Sequence, residues 1–205
     1  MSFDVDVEAV IGTAEIRCRI EPAPGLTVLF GPSGVGKTSV LNMIAGLTRP
    51  ARGRVAVAGA ELFDSDAGID VDVAGRHAGY VFQESRLFPH MRVRANLGYG
   101  AGRGAGRFDF DETIAFLGIA HLLDRWPRSL SGGEARRVAI GRALLSAPSF
   151  LLLDEPLSSL DRARAEEIMR AIEHIRDDLQ LPILMVTHDT AEAERLGTRI
   201  ITMDR

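Results

Sequence analysis

Eight consecutive residues, Gly31-Pro32-Ser33-Gly34-Val35-Gly36-Lys37-Thr38, have the residue types and spacing of a phosphate-binding loop, G-x-x-x-x-G-K-[ST]. Glycines let the backbone curl until its N–H groups face phosphate oxygens. A helix beginning behind them adds a partial positive charge of roughly half a unit. Lys37 would supply a full charge for the β- and γ-phosphates, and Thr38 a hydroxyl for Mg²⁺. The context agrees: the apolar run Leu26–Phe30 predicts a buried strand before the loop, and Ser39–Gly46 a helix after it. Of the 24 basic residues, 23 are arginine and Lys37 is the one lysine, so it is also the one side chain open to an amine reagent. A compact ammonium on a flexible stem fits inside a phosphate cradle where a planar guanidinium would not. A bare glycine-rich turn would need none of this; the residues read as a nucleotide-binding site.

Two further stretches could do chemistry. Phe150-Leu-Leu-Leu-Asp154-Glu155-Pro156 ends a hydrophobic run in two carboxylates. Asp154, at the end of a strand, can hold Mg²⁺, and Glu155 can polarise a water for in-line attack on a γ-phosphate. The other is Leu130-Ser131-Gly132-Gly133-Glu134, ahead of a helical pattern. Ser131 and Glu134 have the spacing of a capping box. Capping does not call for two consecutive glycines, which suit a close approach by a ligand, so the turn also reads as a second anion-binding surface.

Residues 3–20 alternate apolar and polar, predicting two antiparallel strands ahead of the loop. A turn at 50–53 leads to a short strand at 55–58, residues 64–76 read as a polar surface connection, and Gly79–Phe82 is a buried strand running into Gln83. From 84 to 130 the β signal disappears, inside a subdomain taken over about 84–148. This stretch predicts an inserted helical subdomain, with a Gly/Ala/Arg loop at 101–107, a flexible point at 100–106, and one or two helices over 111–123 broken at Gly118. Strands return at 150–154, 183–187 and 199–203, with Ile168, Ile172, Ile175 and Leu179 on the core face of a helix between the first two. The expected fold is α/β: a phosphate-loop core with a mostly parallel sheet over about 1–83 and 149–205, an N-terminal antiparallel β subdomain and the helical insertion, all one domain of 205 residues.

Composition excludes little but points consistently. Net charge is −4, which argues against a nucleic-acid grip, and Arg136 and Arg137 read as a solvated helix face. The single cysteine, Cys18, sits in an alternating run as a small core residue and suits a reducing compartment. No apolar stretch approaches the roughly eighteen residues of a membrane helix, and the acidic start is unlike a signal peptide, so a cytoplasmic protein is expected. His77, His90, His121 and His174 lack ligand spacing, and no metal site beyond Mg²⁺ is expected.

Taken together, GPSGVGKT, Gln83, LSGGE at 130–134, LLLDEP at 151–156, Ser159-Leu160-Asp161 and His188 resemble the ATP-binding-cassette (ABC) ATPases over nearly the whole chain. The resemblance implies that ATP is bound by Gly31–Ser39 with Gln83, and that Thr38, Gln83 and Asp154 serve Mg²⁺. It implies Glu155 as general base, Lys37 and His188 as catalytic partners on the γ-phosphate, and Asp161 as a communicator across a dimer interface. Ser131, Gly132, Gly133 and Glu134 would cap the nucleotide of a second copy, giving a head-to-tail dimer with two sites.

Residues 83–91 with Val93, Asn96 and Leu97 resemble the import ATPases, in which this segment cradles a helix of an integral membrane permease at the inner face of the membrane. LFPH, the N-L-x-Y-G pattern at 96–100, LLDRWPRSLSGGE and RVAIGRALL are most similar to molybdate and tungstate importers; sulfate, iron and polyamine importers share parts of the pattern. A soluble cassette acting on nucleic acid or ribosomes is the alternative within the family. Two departures stand out. Residues 8–11 read Glu-Ala-Val-Ile, without the aromatic that stacks on adenine in many members. The sequence also stops after the last predicted strand, so regulation by an oxyanion-binding β domain is not expected of it.

Overall fold

The structure, a computed structural model, describes residues 2–100 and 108–204; the loop expected at 101–107, and with it all of the flexible point but Gly100, lies outside them. Strands β1 (Phe3–Ile11) and β2 (Ala14–Ile20) form the expected hairpin, paired from Val5 with Ile20 to Ile11 with Ala14. With β4 (Arg52–Val57), β5 (Ala60–Asp64) and β6 (Ile69–Asp70) they make an antiparallel sheet in the order β2-β1-β4-β5-β6. The second sheet is parallel, in the order β10-β3-β9-β8-β7. Its members are β3 (Leu26–Phe30), β7 (Ala78–Val81), β8 (Phe150–Asp154), β9 (Ile183–Thr187) and β10 (Arg199–Thr202).

The parallel strands are apolar runs because both faces are covered. Leu151 and Leu153 of β8, with Ile183 and Met185 of β9, join one core; Phe150, Leu152, Leu184 and Val186 join another. The first core packs against α2 (Val93–Gly98), α3 (Phe110–Leu117), α4 (Gly132–Leu145), α5 (Arg162–Asp177) and α6 (Thr190–Leu196). The second encloses α1 (Lys37–Ala45) between the two sheets, with Phe3 edge-on to Phe150 at 5.6 Å. Gly118 ends α3 in a left-handed turn, at the predicted break. No helix among the described residues is long and apolar enough to cross a membrane.

The connection expected at 64–76 is more than surface. It carries β6, and Arg76 is buried beneath the end of α1. Arg76 Nη1 donates to Met43 O (2.8 Å) and Ile44 O (3.0 Å), Nε to Val71 O (2.8 Å), and Nη2 to Asp70 Oδ1 (3.1 Å). The last carbonyls of a helix have no partners within it, and α1 has no basic residue in its last turn, so a cation from the turn between β6 and β7 takes that place. Arg76→Met should therefore lower stability by about 2–4 kcal/mol in denaturant unfolding; a loss under about 0.5 kcal/mol would mean that the carbonyls find other partners.

Cys18 faces the second core at 5% exposure, and burial, with Asp6 nearby, pushes its thiol from the ordinary 9.0 up to about 12. Because the folded value is the higher one, this group favours the fold below pH 9.0, and that contribution declines as pH rises toward about 12. A thiol reagent at pH 8 should leave native Cys18 unmodified and react once the chain is unfolded; fast native labelling would contradict the burial.

Candidate active site

The loop between β3 and α1 places Gly36 at the N-cap of the helix with φ 106, a left-handed conformation that favours glycine, and a Cβ there would come within 2.9 Å of Ile16 Cδ1. Lys37, 4% exposed, folds back over the loop: Nζ donates to Gly31 O at 2.7 Å and to Pro32 O at 2.8 Å. Burial lowers its pKa from the usual 10.5, opposed by the charges of Glu155 and Asp154. Two of its three protons are thus held by the loop itself, and the amine is not the open target that its uniqueness suggested.

Thr38 Oγ1 donates to Asp154 Oδ1 at 3.0 Å, joining the two expected Mg²⁺ ligands. Asp154 ends β8 almost wholly buried, and that burial raises its pKa from 3.8 against the opposing pull of the Thr38 hydrogen bond, Lys37 and Arg136. Glu155 follows with φ 45, a backbone strain of about 1–2 kcal/mol for a non-glycine residue. Strain of this kind marks positions where side-chain direction matters. Its N–H donates to Val186 O at 3.0 Å, and its carboxylate is met on both sides: His188 Nδ1 lies 3.2 Å from Oε1, and Gln83 Nε2 donates to Oε2 at 3.3 Å.

The residues on either side of His188 are held in place. Thr187 Oγ1 accepts from Asp189 N–H at 3.1 Å and donates to Glu192 Oε2 at 2.5 Å, while Asp189 caps α6 by accepting from Glu192 N–H at 3.0 Å. Burial raises the Glu192 pKa above the usual carboxylate value. Thr187 and Glu192 escaped the sequence reading, although Asp189 and Glu192 have capping spacing at the start of a helix.

The remaining predicted residues lie outside this hydrogen-bonded cluster. Ser131 caps α4 in a full capping box: Oγ accepts from Glu134 N–H at 3.3 Å and Ser131 N–H donates to Glu134 Oε2 at 2.7 Å. That backbone hydrogen bond is the main reason the Glu134 pKa is lowered, and the carboxylate also faces Arg125 and His121. None of these partners belongs to the loop at 31–38. Gly132 is exposed, and among the described residues a Cβ there would meet only Leu160 Cδ2 at an ordinary 3.4 Å, so its smallness serves no packing among them. Asp161 caps α5, accepting from Arg164 N–H at 3.0 Å.

Arg136 corrects the expected solvated face. It is 5% exposed, with Nη1 donating to Phe82 O and Nη2 to Gln83 O, each at 2.6 Å. Arg137 is largely covered as well and pairs with Glu167 at 3.0 Å. Helical spacing carried the signal: Arg136 falls on the same stripe as Gly133, Ile140 and Leu144, all buried.

A sequence model of the ABC transporter family matches residues 19–158. The chain belongs to that family. This ABC protein is 50% identical over 206 residues to the molybdenum import ATP-binding protein ModC of Mesorhizobium japonicum, a match covering 99% of the chain and 56% of that protein. It is 47% identical to the protein of the same name from Rhizobium meliloti, covering 100% of the chain and 58% of the relative. The chain thus spans little more than half the length of these curated relatives. Among solved structures, it is similar to the ATP-binding cassette MJ0796 in a dimeric post-hydrolysis state bound to ADP and Pi. The TM-score is 0.77 with 27% identity, covering 98% of this chain and 94% of that one. The likeness bears out the expected fold class, a phosphate-loop α/β core with an antiparallel β sheet and inserted helices.

The lysine offers a direct check of this geometry. An amine reagent should modify Lys37 in the native protein about ten-fold or more slowly than in the unfolded chain, as the buried, doubly bonded Nζ requires. Equal rates, read by peptide mass mapping, would mean that the loop does not hold its lysine.

Proposed function

We propose that this chain binds MgATP and hydrolyses it, as the nucleotide-binding part of an importer in which two copies pair head to tail. The observation that carries the reading is the joining, at one rim of the parallel sheet, of Thr38 to Asp154 and of Gln83 and His188 to Glu155. Gly31–Ser39 would cradle the phosphates, with Lys37 exchanging its own carbonyls for phosphate oxygens. The site fits Mg²⁺ in donor chemistry: Thr38 Oγ1 and Asp154 Oδ1 are hard oxygens 3.0 Å apart, and Gln83 adds an amide oxygen. Mg²⁺ bound there would supply charge neutralisation on the phosphates.

Glu155, oriented from both sides, would accept the proton of the attacking water as general base, and His188 would contact the γ-phosphate. Ser131, Gly132, Gly133 and Glu134 would close over the nucleotide of the other copy, and exposed Gly132 leaves room for that approach. Asp161 would signal across the same interface. The base would rest on aliphatic rather than aromatic side chains: Val10 and Ile11 are exposed at the end of β1, and Ile16 lies against the phosphate loop.

The helical subdomain over 84–148 would link this chemistry to integral membrane permease subunits, placing the protein at the cytoplasmic face of the membrane. Tyr80, Phe82, Arg86, Phe88, Tyr99 and Arg142 line a surface groove of 390 Å³ suited to receiving a permease segment. The named relatives support molybdate or a related oxyanion as cargo. Cargo selection would rest with other subunits.

Glu155→Gln should keep ATP binding, accumulate ATP-dependent dimers in size-exclusion chromatography and lower phosphate release by about 10²–10³-fold. Dimers of this variant that turn over ATP at the wild-type rate would remove Glu155 as the base.

A further inference from the structure

Residues 82–86 carry chemistry at one end and the proposed permease groove at the other, yet they form no helix or strand. Among the described residues, no backbone N–H outside the sheet ladder donates to the carbonyls of Phe82, Gln83, Ser85 or Arg86. Those four oxygens are taken by two arginines of α4. Arg136 donates to Phe82 O and Gln83 O at 2.6 Å each, and Arg142 donates to Arg86 O at 2.9 Å and Ser85 O at 3.3 Å. Arg142 also lies over the Phe88 ring, 5.2 Å from its centroid. The segment is strapped along α4 by side chains instead of backbone bonds.

We infer that Arg136, seconded by Arg142, is the positioning residue for Gln83, so that the helix beginning at Ser131 sets how the Gln83 amide meets Glu155. The assignment rests on the function proposed above. Burying a guanidinium is costly, and Arg136 Nε has no hydrogen-bond partner among the described residues, so simple stabilisation is poorly served by this side chain. What its planar fork does well is fix two successive carbonyls at once, and the second belongs to the residue whose side chain reaches Glu155 3.3 Å away. An ammonium at this position would lack the fork. Arg136 bonds to none of the residues of the phosphate loop, but its charge also favours the ionised form of Asp154, so Arg136→Lys, which keeps that charge and loses the fork, is the variant whose effect should fall on turnover and not on nucleotide binding.

The test is a double-mutant cycle in the full chain with Arg136→Met, Arg136→Lys and Gln83→Ala, reading steady-state ATP hydrolysis. Arg136→Lys should lower kcat about ten-fold with KM for ATP within about two-fold, and Arg136→Met, which also removes the charge near Asp154, should lower kcat at least as far. On the Gln83→Ala background, Arg136→Lys should cost less than about two-fold more. Multiplying effects, or an Arg136→Lys kcat equal to wild type, would overturn the assignment. A second readout is independent of hydrolysis: limited trypsin cleavage after the exposed Arg86, followed by peptide mass mapping, should quicken in Arg136→Met while sites elsewhere in the chain keep their rates. Unchanged cleavage there would overturn the assignment even if the wild-type chain hydrolysed no ATP, an outcome that would by itself remove only the proposed function. If Arg136→Met does not fold, Arg142→Lys carries the same two readouts, with cleavage after Arg86 quickening.

Discussion

The register of the parallel strands is the constraint on which everything else depends. Phe30 pairs with Thr187, Asp154 with Val186 and Val81 with Leu153, so four neighbouring strands stop at nearly the same level. The residues that follow them are the phosphate loop, His188, Glu155 and Gln83. Side chains at one rim of a sheet can then meet without long reaches, and strand-end chemistry in open parallel sheets gathers there. The ladder is held by the alternation of β8 and β9 between two cores. A slip of one residue would exchange their inner and outer faces as well as dismantle the site.

Charge is concentrated where water is scarce. Lys37, Asp154 and Arg136 are all nearly buried, and each is penalised by desolvation, as their displaced pKa values record. What makes the group tolerable is mutual: the two cations favour the ionised carboxylate, which in turn favours them, and hydrogen bonds from Thr38 or to backbone carbonyls take up most of the remaining capacity. The connection between the two sheets adds support at a distance, since Arg76 secures the far end of the helix whose near end is the phosphate loop.

Much of this was readable in the sequence because buried parallel strands are short apolar runs that end at a glycine or within one residue of a polar side chain. Leu26–Phe30, Phe150–Asp154 and Ile183–Thr187 were legible for that reason, as were the residues just beyond them. Arg76, Arg136 and Arg137 were not, because arginine reads as surface unless helical or strand spacing is checked against its apolar neighbours. The same default hid β5 and β6, whose polar residues mask a sheet edge. Two readings of Leu130–Glu134, cap and anion surface, stood side by side in the sequence; the capping box is formed, and the exposed glycine leaves the outer face free for the other.

The bonds from Lys37 to Gly31 O and Pro32 O give the loop a shape of its own. For such a loop, taking up a phosphate is an exchange of acceptors around a single ammonium and not the net gain of a cation. Less binding energy is realised at the lysine than a count of contacts suggests, but little ordering entropy remains to be lost. The affinity gap between nucleotides of different phosphate number would then be set less by charge alone than by which of them can outcompete two carbonyl oxygens already in place.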